Sequence, residues 1–391
     1  MADGSPKCRS KGSAGSRDVR ASGRNVQAGD SEQSPYRGRL WNTGLKLPHQ
    51  PSIDARQLFR DISPFAKPLV ARSVWEVLIT GVPFILLWAL IWALVSRGYY
   101  LGMLLCVPAG GLLLRLFLIQ HDCGHGALFN RRRTNDWVGR SVSVLTLTPY
   151  DSWRRSHAVH HATSGNLDKR GAGDIDTLTA AEYRDLTRWK RFLYRLYRHP
   201  VVLLGLGPAY VFLLRQRLPI GVLRSGWRQW GSALGTNAAI GALAGLLIWQ
   251  IGLWPFLAVH LPIVLVAATA GVWLFYVQHQ FEGTSWDGEE KWSFHDAAVR
   301  GSSHYDLPPI LRWFTANIGI HHVHHLSSRI PFYRLPEVLR AHPELASVNR
   351  MGLRESVGTV RLRLWDEQAR RMVAFTRQGD SSTAAAGTGA H

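Results

Sequence analysis

The chain has 391 residues, 46% hydrophobic and 19% charged, with 16 Trp, 17 His and a net charge of +19. That length permits a large buried core, and three cysteines (Cys8, Cys106, Cys123) without a C-x-x-C pair exclude a disulfide framework. The positive balance suits nucleic acid, an anionic membrane surface or an acidic protein, and where it falls along the chain decides among them.

Residues 1–60 are predicted to be a disordered basic tail and pre-membrane segment, since residues 1–35 are rich in Gly, Ser and Arg and lack the apolar stretch of a signal peptide. Val77–Val95 then runs 19 residues without a charge, the length of a helix that crosses a ~30 Å hydrocarbon core. Leu101–Ile119 is a second such run, interrupted by Arg115. Pro200–Leu214 is apolar but too short to span, and with Arg215 and Arg217 behind it an interfacial or re-entrant helix is expected. Leu234–Trp254 and Phe256–Val277 are uncharged. These runs predict an all-α membrane protein with four transmembrane helices at about 74–96, 100–120, 234–254 and 256–278. The main domain is expected over 61–345, and 346–391 is expected to hold a further cytoplasmic helix and a low-complexity tail.

The spans form two hairpins, closed around Arg97 and Tyr99 and around Gly252–Pro255. Both termini and the middle segment therefore lie on one side. Residues 1–72 hold 13 Lys/Arg against 6 Asp/Glu, and residues 120–231 hold 18 against 8. The positive-inside rule places these regions in the cytoplasm, with an inner membrane as the expected location. The charge then reads as topology and contact with anionic lipid, not with nucleic acid.

Three histidine clusters carry the chemistry: His121-Asp-Cys-Gly-His125, His157-Ala-Val-His160-His161 and His321-His322-Val-His324-His325. On a helix, positions i, i+3 and i+4 share a face. His121 and His125 point together, as do His157, His160 and His161, and as do His321, His324 and His325. His322 is turned about 100° from His321 and is a weaker candidate. His279 ends the fourth span, so all of these can converge just outside the bilayer. A structural zinc site takes four ligands and a catalytic one three plus water. Eight or nine imidazoles are too many for one zinc but suit two metal ions with about four nitrogens each. Imidazole accepts Zn, Cu, Fe and Ni, so donor type leaves the metal open.

The chain here resembles the membrane fatty acid desaturase family, whose signature H-x3-H, H-x2-HH and H-x2-HH is matched by His121–His125, His157/His160/His161 and His321/His324/His325. The text around the second and third boxes, His160-His161-Ala-Thr-Ser-Gly-Asn-Leu-Asp168 and Gly319–Leu326, looks like bacterial acyl-lipid desaturases of the omega-6 (delta-12) type. The resemblance implies a cytoplasmic helical cap carrying a di-iron site, O2 as oxidant, two electrons from an external donor, and cis double-bond formation in a long acyl chain. It also implies His279 as a ninth ligand. In acyl-CoA members an Asn precedes that histidine by four residues, whereas this chain has Phe275.

An alkyl C–H has no usable acidity, so a redox metal must carry the chemistry while the protein orients the chain. Asp122, Asp168, Asp174 and Asp176 are candidates to hold the outer ring nitrogens of the ligands, with Asn317 a further supporting residue or a helix cap. Arg115 reads either as a functional charge at membrane depth or as a side chain snorkelling to the headgroups. No dinucleotide, flavin or iron–sulfur motif is present, so a ferredoxin-like donor is expected, steered by Arg131–Arg133 and the Arg184–Arg198 stretch. The alternatives are a lipid, alkane or carotenoid hydroxylase or ketolase of the same superfamily, a zinc-dependent membrane hydrolase, and a metal transporter or sensor.

Overall fold

The computed structural model describes residues 54–171, 173–217 and 227–375. The expected N-terminal tail up to residue 53 and the C-terminal tail from residue 376 lie outside the described residues.

Four helices are long and apolar enough to cross a membrane: Val70–Ser96, Tyr100–His125, Trp230–Ile251 and Leu253–His279. The second and fourth run further than the uncharged stretches predict, because the polar residues at their ends turn into a protein interior instead of water. His121 and His125 thus sit on the last turns of the second span and His279 on the last turn of the fourth. The second span is the core of the bundle, with Leu112, Leu113, Leu116 and Ile119 buried. The first and third turn Leu78, Ile85 and Leu86, and Leu246 and Trp249, outward. That outward apolar surface is what a bilayer covers.

A layer of short helices closes one end of the bundle, including Arg132–Leu145, Tyr150–Thr163, Phe294–Arg300 and His321–Leu326. The apolar stretch expected as an interfacial or re-entrant helix is a chain of π and α turns over Val202–Leu214. The preceding helix Arg188–Tyr197 is bent from it by 57°.

The helical architecture carries two small sheets that the sequence reading does not anticipate. Leu178–Thr179 pairs in parallel with Leu364–Asp366, which pairs antiparallel with Arg371–Val373. His304–Asp306 pairs in parallel with Arg350–Gly352. In the C-terminal region the expected helix is short, Leu353–Gly358, and a hairpin not expected from the sequence, with Trp365 fully buried, follows it.

Candidate metal centre

Local structure places the histidines. Gly126, with φ of +71°, ends the second span directly after His125, and Ala127 N–H caps it on the Asp122 carbonyl at 2.9 Å. A left-handed residue at this position suits glycine. His157, His160 and His161 lie on helix Tyr150–Thr163, and His321, His324 and His325 on His321–Leu326.

These elements bring nine imidazoles into two groups. His121, His125, His157, His161 and His324 form one, and His160, His279, His321 and His325 the other, each with its ligand atoms within 4.8 Å of one another. In the first group the Nε2 atoms of His125 and His157, of His157 and His161, and of His161 and His324 lie 3.1, 3.1 and 3.2 Å apart. In the second, His279 and His321 approach to 3.0 Å through Nε2. The groups adjoin, since the rings of His161 and His325 stack at 4.1 Å. Boxes two and three each serve both groups: His157 and His161 face one and His160 the other, while His324 faces one and His321 and His325 the other. His322 belongs to neither group and lies against His304, ring to ring at 5.7 Å.

The donor set fits cations. His160 Nε2 and His325 Nε2 are buried without a hydrogen-bond partner, a costly arrangement for polar atoms unless something else fills the lone pairs. Neighbouring Nε2 atoms 3.0–3.2 Å apart match the spacing of imidazoles that share one ion at bonds of about 2.1 Å. Burial, and then the neighbouring imidazoles, push His157, His161, His321, His324 and His325 well below the ordinary histidine range. Each is neutral at neutral pH, as a ligand must be.

That depression fixes a sign. The unfolded chain takes up protons on these residues below about pH 6.5, whereas the folded chain does not, so stability falls as pH drops through that value. Melting of metal-free protein from pH 8 to pH 5 is expected to show a loss that begins near pH 6.5. A flat profile would contradict the buried neutral imidazoles.

Outer contacts orient the rings. His121 Nδ1 donates to Asp122 Oδ1 at 3.2 Å, His160 Nδ1 donates to Asp174 Oδ1, and His279 Nδ1 donates to the Gly301 carbonyl at 3.3 Å. In each case Nε2 is left facing the group. Asp168 does not touch a site histidine: its Oδ2 accepts from Glu289 N–H at 2.8 Å. Gly173, with φ of +88°, turns the loop so that Asp174 reaches His160 instead. Asp176 is engaged through its backbone by Tyr197 and Arg198. Asn317 acts one step further out. Its amide donates to the Phe332 carbonyl at 3.1 Å, while Phe332 N–H donates to Asp122 Oδ2 at 2.7 Å. Asp122, the residue after His121, and Asn317 thus hold the backbone N–H and carbonyl of Phe332.

Two features were not read from the sequence. Trp153 stacks on His157 at 4.7 Å and 17°, a contact that its i, i+4 spacing encodes. Phe275 packs against the rings of His160 and His279 at 5.1 and 5.3 Å, so an apolar wall stands at that position. Arg115 does not snorkel. Its guanidinium pairs with buried Glu76 at 2.5 Å, donates to Thr80 Oγ1 at 3.2 Å and to the Trp313 carbonyl, and lies 4.3 Å over the Trp313 ring.

Comparison with known proteins gives a consistent picture. The sequence profile of the family described as fatty acid desaturase matches residues 99–355. A fatty acid desaturase of Bacillus subtilis is 44% identical over 320 residues, covering 82% of this chain and 90% of that protein. The sn-1 acyl-lipid omega-3 desaturase (ferredoxin) of Synechocystis is 28% identical, covering 59% of this chain and 64% of its own length. The sn-1 oleoyl-lipid 12-desaturase of Anabaena variabilis is 26% identical, covering 62% and 69%.

Proposed function

The chain belongs to the fatty acid desaturase family, and from that premise we propose that it is an O2-dependent acyl-lipid desaturase whose nine convergent histidines hold two iron ions. The observation that carries this reading is the pair of adjoining imidazole groups at the end of an apolar helix bundle. His121, His125, His157, His161 and His324 would hold one ion, and His160, His279, His321 and His325 the other. Iron supplies activation of O2 and abstraction of hydrogen from an unactivated CH2–CH2 pair, chemistry that no side chain offers.

The chain's own residues bind, orient and exclude water. Asp122, Asp174 and the Gly301 carbonyl each hold an outer ring nitrogen and so fix which nitrogen faces the ion. Phe275 and the buried second group keep water from that side. Asp174→Asn is expected to weaken metal retention by about 10- to 100-fold, read as the chelator concentration that strips half the metal. Unchanged retention would remove Asp174 from the supporting shell.

Taking two hydrogens from the acyl chain while O2 becomes two waters requires two further electrons. The Synechocystis relative names ferredoxin as its donor, and we assign a ferredoxin-like acidic protein that role here. Arg132 donates to the Gly124 carbonyl at 3.2 Å, beside His125 of the first group, and His125 and His157 of that group are only partly buried. Both Arg132 and Arg154 pair with Asp136. Rates with purified ferredoxin are expected to fall as ionic strength rises, since screening shortens the reach of such charges to ~10 Å at 0.1 M. A salt-independent rate would exclude steering.

The same reading places both termini and the metal groups on the cytoplasmic side, following the excess of Lys and Arg. Expression in a bacterium that makes only monounsaturated chains, followed by mass spectrometry of the fatty acid methyl esters, tests the activity. A new double bond is expected. A hydroxylated or unchanged profile would contradict it.

A further inference from the structure

Helix Arg188–Tyr197 carries its polar face inward and its apolar face outward. Arg191 donates to the carbonyls of Leu186 and Arg184 at 2.9 and 3.0 Å. The Tyr194 hydroxyl accepts from Leu178 N–H at 3.0 Å and donates to the Arg363 carbonyl at 2.9 Å. One turn on, buried Arg198 donates to the Asp176 and Leu362 carbonyls and to Gln280 Oε1 at 3.1, 3.1 and 2.8 Å. These positions recur at i, i+3 and i+7, the spacing of one helical face. The stripe beside them, Trp189, Phe192, Leu193 and Leu196, recurs at i, i+3, i+4 and i+7 and is 65, 53, 44 and 46% exposed. A helix resting on a water-facing protein turns such a stripe toward the core.

What covers the stripe follows from what continues it. The chain bends by 57° into Val202–Arg217, where Leu206, Tyr210 and Leu214 are again exposed. Leu203 of that segment belongs to the same core cluster as Val259 and Ile263 of the fourth span. The apolar stripe therefore runs on, along the chain, into a segment seated on a membrane-crossing helix. Exposed Arg188 and Lys190 flank it, and positive charge beside an apolar stripe with Trp and Phe is the pattern of a helix lying at a lipid surface.

We propose that Arg188–Tyr197 lies flat in the headgroup region of the bilayer, with Trp189, Phe192, Leu193 and Leu196 reaching the acyl boundary. The helix is then a membrane seat and not part of the donor-docking face. Its inward side reaches the metal groups by short links. Tyr197 and Arg198 hold the backbone of Asp176, two residues from Asp174, and Arg198 holds Gln280, the residue after His279. The proposal rests on the spans and not on the identity of the metal.

The test uses the full chain, with Cys8 and Cys106 replaced by serine and Cys123, fully buried and closed to the label, left in place, in nanodiscs of phosphatidylcholine and phosphatidylglycerol in equal parts. Nitroxides are attached singly to Phe192→Cys, Leu196→Cys and Lys190→Cys. Their collision rates are measured with O2, which concentrates in lipid, and with a water-soluble nickel chelate. The ratio of O2 to nickel access is expected to be severalfold higher at positions 192 and 196 than at 190. Nickel access at 192 and 196 equal to that at 190 would place the stripe in water and overturn the proposal. Immobilised labels at 192 and 196 shielded from both reagents would place it under protein, a second copy or another part of the chain, and would overturn it equally.

Discussion

Replacing His324 by alanine is expected to abolish double-bond formation and to remove at least one of the two ions per chain. The His324 ring lies 4.7, 4.9 and 4.8 Å from those of His121, His125 and His161, so it closes the first group from the opposite helix. Its loss leaves that group without its contribution from box three. His160→Ala is expected to do the same to the second group, because the His160 ring packs 4.8 and 5.0 Å from those of His279 and His325. Both variants should still insert, since neither residue faces the bilayer. Fatty acid profiling and metal analysis on the same preparations check the result. Product formation retained in both variants would refute the ligand assignment.

Glu76→Gln is expected to destabilise the fold by about 3–5 kcal/mol, the cost of leaving a buried charge without its partner. Arg115 is held at 2.5 Å by Glu76, and both side chains are almost completely buried. Arg72 also reaches Glu76, at 2.7 Å, but is half-exposed and can return to solvent. The Arg115 guanidinium also binds the Trp313 carbonyl and lies 5.1 Å from the Phe332 ring. The backbone of Phe332 is held by Asp122 and Asn317, so the pair steadies the segments on either side of box three. A double variant, Glu76→Leu with Arg115→Met, removes both charges and is expected to regain most of the lost stability. Thermal unfolding of the purified chains in nanodiscs measures both. Glu76→Gln as stable as the parent would show that the pair does not hold the spans together.

The spans and the three boxes were legible because each is written in local periodicity. Runs of about 20 apolar residues declare crossing helices, and i, i+3, i+4 spacing declares which imidazoles share a face. The division of boxes two and three between two groups was not legible, since it depends on how helix Tyr150–Thr163 sits against His321–Leu326. The choice of Asp174 over Asp168 turns on the path of a loop bent at Gly173, which no periodicity records. Glu76 escaped notice because the charge-free run begins one residue after it, and its partner is 39 residues away. Arg115 read either as a functional charge or as a side chain reaching for the headgroups, whereas the fold gives it a carboxylate, a hydroxyl and a carbonyl. The hairpin at Leu364–Val373 was missed because its two strands are three residues each, shorter than the patterns that announce a strand.

The most direct test of the account is the metal content of the purified full-length chain, by elemental analysis alongside protein quantitation. Two irons per chain are predicted, falling by at least one in both His324→Ala and His160→Ala. Zinc in place of iron, or an unaltered content in these two variants, would contradict it.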